Sequence, residues 1–445
     1  MAIFTLIAAI AFLLLLIAVL RLNAFIALIL TAFGVGILRG LSFVKIIESI
    51  NKGIGSTLGG LLVVLAFGIM LGSLLAETGA AQSISSRLIQ VFGEKRSKWA
   101  LLITGFVVGL AMFYNAGFVI LIPLVFTVSA TTGLPLVYLG IAIASGLSVT
   151  HGFLPPHPGP TAIVVLFKAD MGRTLIYGTL IAIPTILLTG GLFPEFLKHI
   201  KANPPQGLIE VKNIEGHLLP PFSLSIGIAL TPVLLMAMAT IGDLNLHRDS
   251  GLLPYLKFVG DPAVSMIIAF LIALVFIGIL RGGNDRSWKD KMDDLMGKMS
   301  NSLSAAVMIF LIIGSGGAFK QVLQDSGIGS DLALIFNGLQ TNPLILGWLV
   351  ATIIRISIGS ATVAGLTAAG IVQPLLADPS VSPELMVLSV GAGSLMCSHV
   401  NDTGFWMFKE YFGLTLKDTF LTWTLMETIV GIGGLIGVLV LDIWL

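Results

Sequence analysis

Between Ser145 and Ala162 the chain reads SGLSVTHGFLPPHPGPTA, which sets two histidines, four prolines and three glycines inside otherwise apolar sequence. Each proline removes a backbone donor and crowds the preceding turn, and unpaired backbone in hydrocarbon costs several kcal/mol. Such a segment belongs inside protein or against a wet cavity, and Pro155, Pro156, Pro158 and Pro160 are architectural. Polar residues gather at three further interruptions of apolar sequence: Asn115 in Asn115-Ala116-Gly117, Arg355 with Ser360 and Thr362, and the run Ser398-His399-Val400-Asn401-Asp402-Thr403. Together with Thr150, His151 and His157 these side chains supply many donors, hydroxyls and amides and a single fixed cation. A helix broken within a membrane also presents unpaired N–H groups at one stub, which attract anions, and carbonyls at the other, which attract cations. This inventory suits a small hydroxylated carboxylate, held by Arg355 or the helix N-termini, with its hydroxyls on Asn, Ser and Thr.

Several of these residues carry two readings. Arg355 follows an apolar span, so it either contacts substrate or hairpin, or snorkels or pairs with a carboxylate. Asp402 is placed to carry a proton, because an unpaired charge is costly there, or to serve as a fixed hydrogen-bond acceptor that holds the break. His151 and His399 can bind a proton near neutral pH or stay neutral and hydrogen-bond broken backbone. Glu77 is a second candidate for proton coupling; like Asp325, it stands in a Glu/Asp-x-Gly helix end and can simply terminate a helix. His199, His217 and His247 fall in polar connectors, where solvated loop positions are the default.

The elements that position these residues follow from composition. With 56% hydrophobic and 11% charged residues and mean hydropathy +1.02, the 445-residue chain reads as an all-α polytopic membrane protein. A helix needs about 20 residues to cross, and the apolar runs allow about ten to twelve transmembrane helices plus broken pieces. A net charge of +1 offers no whole-protein field for nucleic acid or an acidic partner, and the lone Cys397 excludes an internal disulfide and a cysteine metal site. Ala2–Leu20 reads as an uncleaved first span, and 41–56, with Lys45, Glu48 and Lys52, as an interfacial amphipathic helix.

Four regions are expected. Residues 1–56 hold N-terminal spans and the amphipathic segment; 57–193 form a first repeat core, with breaks at 113–118 and 145–162; 194–300 carry connecting spans and polar linkers; 301–445 form a second core, with breaks at 355–376 and 391–408. Glu77 and His151 are 74 positions apart, as are Asp325 and His399, at an offset of 248. The basic stretch 87–98 shifted by that offset lands on 335–346, which has no Lys or Arg. Under the positive-inside rule the two stretches face opposite sides, as an inverted-topology repeat with broken helices or re-entrant hairpins requires.

The stretches LSVTHGFLPPHPGPTA (147–162), RISIGSATVAGLTAAG (355–370) and SHVNDTGFWMFKEYFGLTLKDTF (398–420) closely resemble the gluconate permease family, the gluconate:proton symporters of bacterial inner membranes. The resemblance covers about Gly59 to Trp423. It implies proton-coupled uptake of gluconate or a related sugar acid, glycerate or D-serine, with the proton as coupling ion and no cofactor. It further implies membership of a superfamily of inverted-repeat carriers with hairpins at the membrane centre, often homodimers that move like an elevator. The partners expected are thus a small sugar acid and the lipid bilayer, with no nucleic acid.

Other classes fit less well. An intramembrane enzyme lacks an HExxH motif, an aspartate-rich prenyl-diphosphate motif, and a partner histidine for the GSGG at 314–317. A cation:proton antiporter wants more negative charge at its breaks than Asp402 supplies. A channel wants a ring of pore-lining charge. Sodium coupling stays open, because broken-helix carbonyls bind Na⁺ without a sequence motif.

Overall fold

Pro158, Pro262, Pro343 and Pro383 each stand in the first turn of a helix, where the missing N–H has no intrahelical partner to lose. Asp261, Asn342 and Ser382 precede three of them and cap first-turn N–H groups, as Asn23 and Asp170 do elsewhere. The computed structural model describes residues 2–59, 61–93, 96–204, 219–246, 250–279, 287–328, 341–400 and 402–445; Asn401, His217 and His247 lie outside them.

Among the described residues the fold is helical, without strands. It begins with α1 (Ala2–Leu14), α2 (Ala24–Leu38), α3 (Phe43–Gly59), α4 (Leu62–Glu77) and α5 (Ala80–Phe92). Next come α6 (Ser97–Ala111), α7 (Tyr114–Thr132), α8 (Leu136–Phe153), α9 (Pro158–Phe167) and α10 (Met171–Ile186). Then follow α11 (Phe222–Asn245), α12 (Leu253–Val259), α13 (Pro262–Ala273), α14 (Trp288–Asp325) and α15 (Pro343–Ile358). The series ends with α16 (Ala361–Val372), α17 (Pro383–Gly393), α18 (Thr403–Phe412), the single turn α19 (Leu416–Thr419) and α20 (Leu425–Asp442).

Among the described residues, four stretches are long and apolar enough to cross a membrane: Leu136–Phe167, Met171–Leu197, Phe222–Asp243 and Leu416–Asp442. Two bent pairs pass together, Phe43–Gly59 with Leu62–Glu77 at 48° and Leu253–Val259 with Pro262–Gly278 at 65°. Other apolar segments form helices of 10–17 residues. Ile432, Ile436 and Val440 make an exposed apolar stripe on α20, opposite the buried Val430, Gly434 and Val438. That one-sided burial, with apolar side chains outward, is what lipid as solvent permits. The chain is a multi-pass membrane protein.

Two polar stretches are more helical than the sequence suggested. In 87–98, Arg87 lies within α5, while Lys98 lies in the first turn of α6, where its ammonium reaches the Gly191 carbonyl and Glu195, both at 2.5 Å. Of the region 194–300 expected to carry polar linkers, residues from Trp288 onward are the opening turns of α14; Ser287 caps the Asp290 N–H at 3.1 Å and Lys298 pairs with Asp294 at 3.1 Å. Capping and i,i+4 pairing sustain a helix there despite its polarity.

The segment 41–56 falls in α3, whose buried face of Ile46, Ser49, Ile50, Gly53 and Thr57 lies along α14. A methyl group on Gly53 would overlap the Gly317 carbonyl, so the GSGG run of α14 acts here as a close helix crossing. Asp325, at the end of α14, takes the Ser49 hydroxyl at 2.7 Å.

Among the described residues the buried apolar side chains form two clusters. One gathers α1–α3, α9, α10, α14–α17 and α20; the other gathers α5–α8, α13 and the aromatic face of α18. The helix breaks that face one another lie where these clusters meet.

Candidate functional site

Helix ends fall at 111–114, 153–158, 358–361 and 393–403, and all four interruptions border one cavity of about 340 Å³. Its lining includes four helix N-termini: Phe113–Asn115 at α7, Pro158 at α9, Ser360–Thr362 at α16, and Thr403 and Gly404 at α18. The residues ahead of α7 and α9, Phe113 and His157, make no side-chain cap, and of the first three residues of α9 only Gly159 carries an N–H. Converging N-termini give the cavity a positive lining without ionised side chains. Leu395 of the first apolar cluster and Tyr114 and Trp423 of the second complete the lining.

Arg355 enters from the last turn of α15, which Gly359 ends in the left-handed conformation at φ 78°, its N–H closing on the Arg355 carbonyl at 3.1 Å. The Arg355 side chain is 2% exposed and its Nη2 donates to Asp402 Oδ2. Its Nε and Nη1 are buried without a partner among the described residues. Buried donors of this kind want acceptors, and Nε and Nη1, on different edges of the guanidinium, each offer a charged N–H to a carboxylate or hydroxyl oxygen.

Asp402 is the cap of α18. Oδ1 accepts the Gly404 N–H at 3.0 Å, while Oδ2 receives both Arg355 and the Ser398 hydroxyl. Trp423 Nε1 donates to Ser398 Oγ at 2.8 Å, and the Thr424 hydroxyl donates to the Ser398 carbonyl at 2.5 Å. The break 394–402 is thus tied to the start of the last span by side chains, and Asp402 is fully engaged as a carboxylate.

Of the residues expected to bind substrate, Asn115, His151, Arg355, Ser360, Thr362 and Thr403 line the cavity, as does Asp402. Thr150 does not: it is buried and its hydroxyl bonds back to Leu147 and Gly146 carbonyls at 2.9 and 3.2 Å. His157 stands behind the wall, with Nε2 against the Gly109 carbonyl and its ring 5.4 Å from that of His151. Ser398 acts through Asp402, and His399 reaches the Ile356 carbonyl at 3.0 Å, bridging the 393–403 break to α15. Glu77 lies outside the cavity, half exposed and 3.8 Å from Lys298.

Four further lining residues with polar side chains were not among those expected: Tyr114, Ser148, Trp423 and Glu427. Glu427 is 1% exposed, and its Oε1 accepts the Ser148 hydroxyl at 2.5 Å while Oε2 has no partner among the described residues. A lone acid in an apolar run is a functional signal in a membrane span, and this one was available in the sequence.

The GntP family permease model matches residues 1–444. A high-affinity gluconate transporter of Escherichia coli K12 is 48% identical over 422 residues, covering 95% of each chain. The Gnt-II system L-idonate transporter of the same organism is 48% identical over 435 residues, 98% of each. Among solved structures, the YdaH transporter of Alcanivorax borkumensis is similar in fold, with TM-score 0.63 and 17% identity over 91% of this chain and 89% of that one. Such relatives are transporters rather than enzymes. By the whole-length family match and by this level of identity, the chain belongs to the GntP family of permeases.

Proposed function

We propose that the protein is a proton-coupled symporter that takes up gluconate, or a closely related small hydroxylated carboxylate, across the bacterial inner membrane. The observation that carries this reading is the pair of free, buried Arg355 donors in a cavity ringed by four helix N-termini. A cavity of about 340 Å³ is at the small end of ligand sites, which span roughly 300–1,000 Å³. The acid group meets Arg355, and the chain hydroxyls meet Asn115, Ser360, Thr362 and Thr403. Relatives named for gluconate and for L-idonate support a sugar acid as the substrate. In this reading the two halves are inverted repeats whose broken helices share one midplane site, which is exposed alternately to either side.

The test is uptake of radiolabelled gluconate into proteoliposomes of the purified protein under an inward proton gradient. Accumulation that a protonophore abolishes, and that unlabelled idonate but not glycerate or D-serine competes away, is the expected result. Accumulation driven by a sodium gradient at fixed pH would replace the proton with Na⁺. Movement of cations with no organic anion transported would overturn the reading in favour of an antiporter.

A further inference from the structure

The cavity holds more ionisable groups than substrate binding requires. Arg355 and Asp402 cancel one another, and every oxygen of Asp402 has a donor. Glu427 is different. It projects into the same cavity from α20, is 1% exposed, and has a single donor, the Ser148 hydroxyl, on one oxygen. Its second oxygen is buried and bare among the described residues. Ionised, that oxygen would hold charge with no hydrogen bond and no cation of its own, since Arg355 already serves Asp402.

The groups that face Glu427 are few. Arg355 comes from α15, Asp402 from the cap of α18, His151 from α8 and the Tyr114 phenol from α7. Other titratable residues on helices packed against α20, namely Tyr138 on α8, Arg173 and Tyr177 on α10 and Glu384 on α17, do not line the cavity, nor does Cys397 beside Thr428. His151 shares the cavity with the Arg355 cation, which opposes a second positive charge there.

The charge balance then couples proton and substrate. With Glu427 ionised, the cavity is already net negative, and a carboxylate arriving at Arg355 meets a like charge within a space of about 340 Å³. With Glu427 protonated the cavity is neutral, and the incoming acid group meets free guanidinium donors and helix N-termini. Each ligand favours the other by the same factor, since binding linkage is reciprocal. We propose that Glu427 is the group that carries the coupled proton, with Asp402 as the fixed counter-charge of Arg355. Binding transfers a proton from water to Glu427 Oε2, and release to the cytoplasm returns it. The inference rests on the symport reading above.

The test is proton uptake on gluconate binding, followed with a pH indicator in weakly buffered detergent solution, for the native protein and for Glu427→Gln. At a pH alkaline enough to ionise Glu427 in the empty protein, native protein is expected to take up as much as one proton per gluconate bound, falling to none at acid pH. Glu427→Gln, which keeps the shape and the Ser148 contact, is expected to bind gluconate with no proton uptake, and in liposomes to exchange gluconate without concentrating it under a proton gradient. Proton uptake by Glu427→Gln equal to that of the native protein would overturn the assignment. Should Glu427→Gln fail to fold, Glu427→Asp, which keeps a carboxyl on a shorter arm, is expected to displace the pH midpoint of uptake, and an unchanged midpoint overturns the proposal. If the native protein takes up no proton and concentrates no gluconate, the symport reading itself fails, an outcome distinct from a Glu427 failure.

Discussion

Asp402 gathers the Arg355 guanidinium and the Ser398 hydroxyl on one carboxylate oxygen and the Gly404 N–H on the other. The last turn of α15 and the cap of α18 are therefore joined by one pair, its guanidinium buried and its carboxylate partly exposed. Breaking a buried pair by removing one member costs about 3–5 kcal/mol, because the other charge is left uncompensated. Asp402→Asn is accordingly expected to lower the thermal midpoint and to abolish uptake. The double variant Arg355→Gln/Asp402→Asn should recover folding without recovering transport, which thermal unfolding and uptake read separately.

Arg355→Lys separates charge from geometry. A lysine keeps the cation at the end of α15 and can still reach Asp402, but it loses the Nε and Nη1 donors that await acceptors. The expected result is a rise in KM for gluconate of about tenfold or more, equivalent to about 1.4 kcal/mol, with folded protein still recovered. Native KM in Arg355→Lys would mean that the guanidinium serves Asp402 alone.

Thr150 faces backbone rather than the cavity. Thr150→Val removes one buried hydrogen bond, so it is expected to cost about 1 kcal/mol of stability. Its gluconate KM should stay within about twofold of native, a change below 0.5 kcal/mol.

Glu77 is half exposed and 3.8 Å from Lys298. An exposed pair contributes at most about 1 kcal/mol. Glu77→Gln is therefore expected to keep native uptake and a native pH profile; a flattened profile would return Glu77 to the coupling pathway.

Gly53 and Gly317 touch backbone to backbone where α3 crosses α14. Gly53→Ala forces these helices apart and is expected to destabilise the protein by about 1–3 kcal/mol, measured as thermal unfolding in detergent.

The helix interruptions were legible because proline, glycine and clustered polar residues cannot sit quietly in apolar sequence, and the helix starts at Pro158, Ser360 and Asp402 carry recognisable chemistry. Helical phase was harder to read. Ser148 and Thr150 lie two residues apart, about 200° around the helix, so one faces the cavity and the other backbone. The sequence pointed to Thr150 because it adjoins His151. Tyr114, Trp423 and Glu427 escaped notice because they lie in or beside long apolar runs that read as spans. Only the packing of α20 against α8 shows that Glu427 and Ser148 meet. His399 and Ser398 were found by type, but their partners, Ile356 and Asp402, depend on how the 393–403 break folds.

Coupling is tested most directly by letting the substrate gradient drive the proton. Proteoliposomes loaded with a pH-sensitive dye, and with equal pH on both sides, are given an inward gluconate gradient under voltage clamp by potassium and valinomycin. Symport predicts that the lumen acidifies as gluconate enters, and that an inward proton gradient alone then concentrates gluconate. Entry of gluconate at constant lumenal pH would contradict the account.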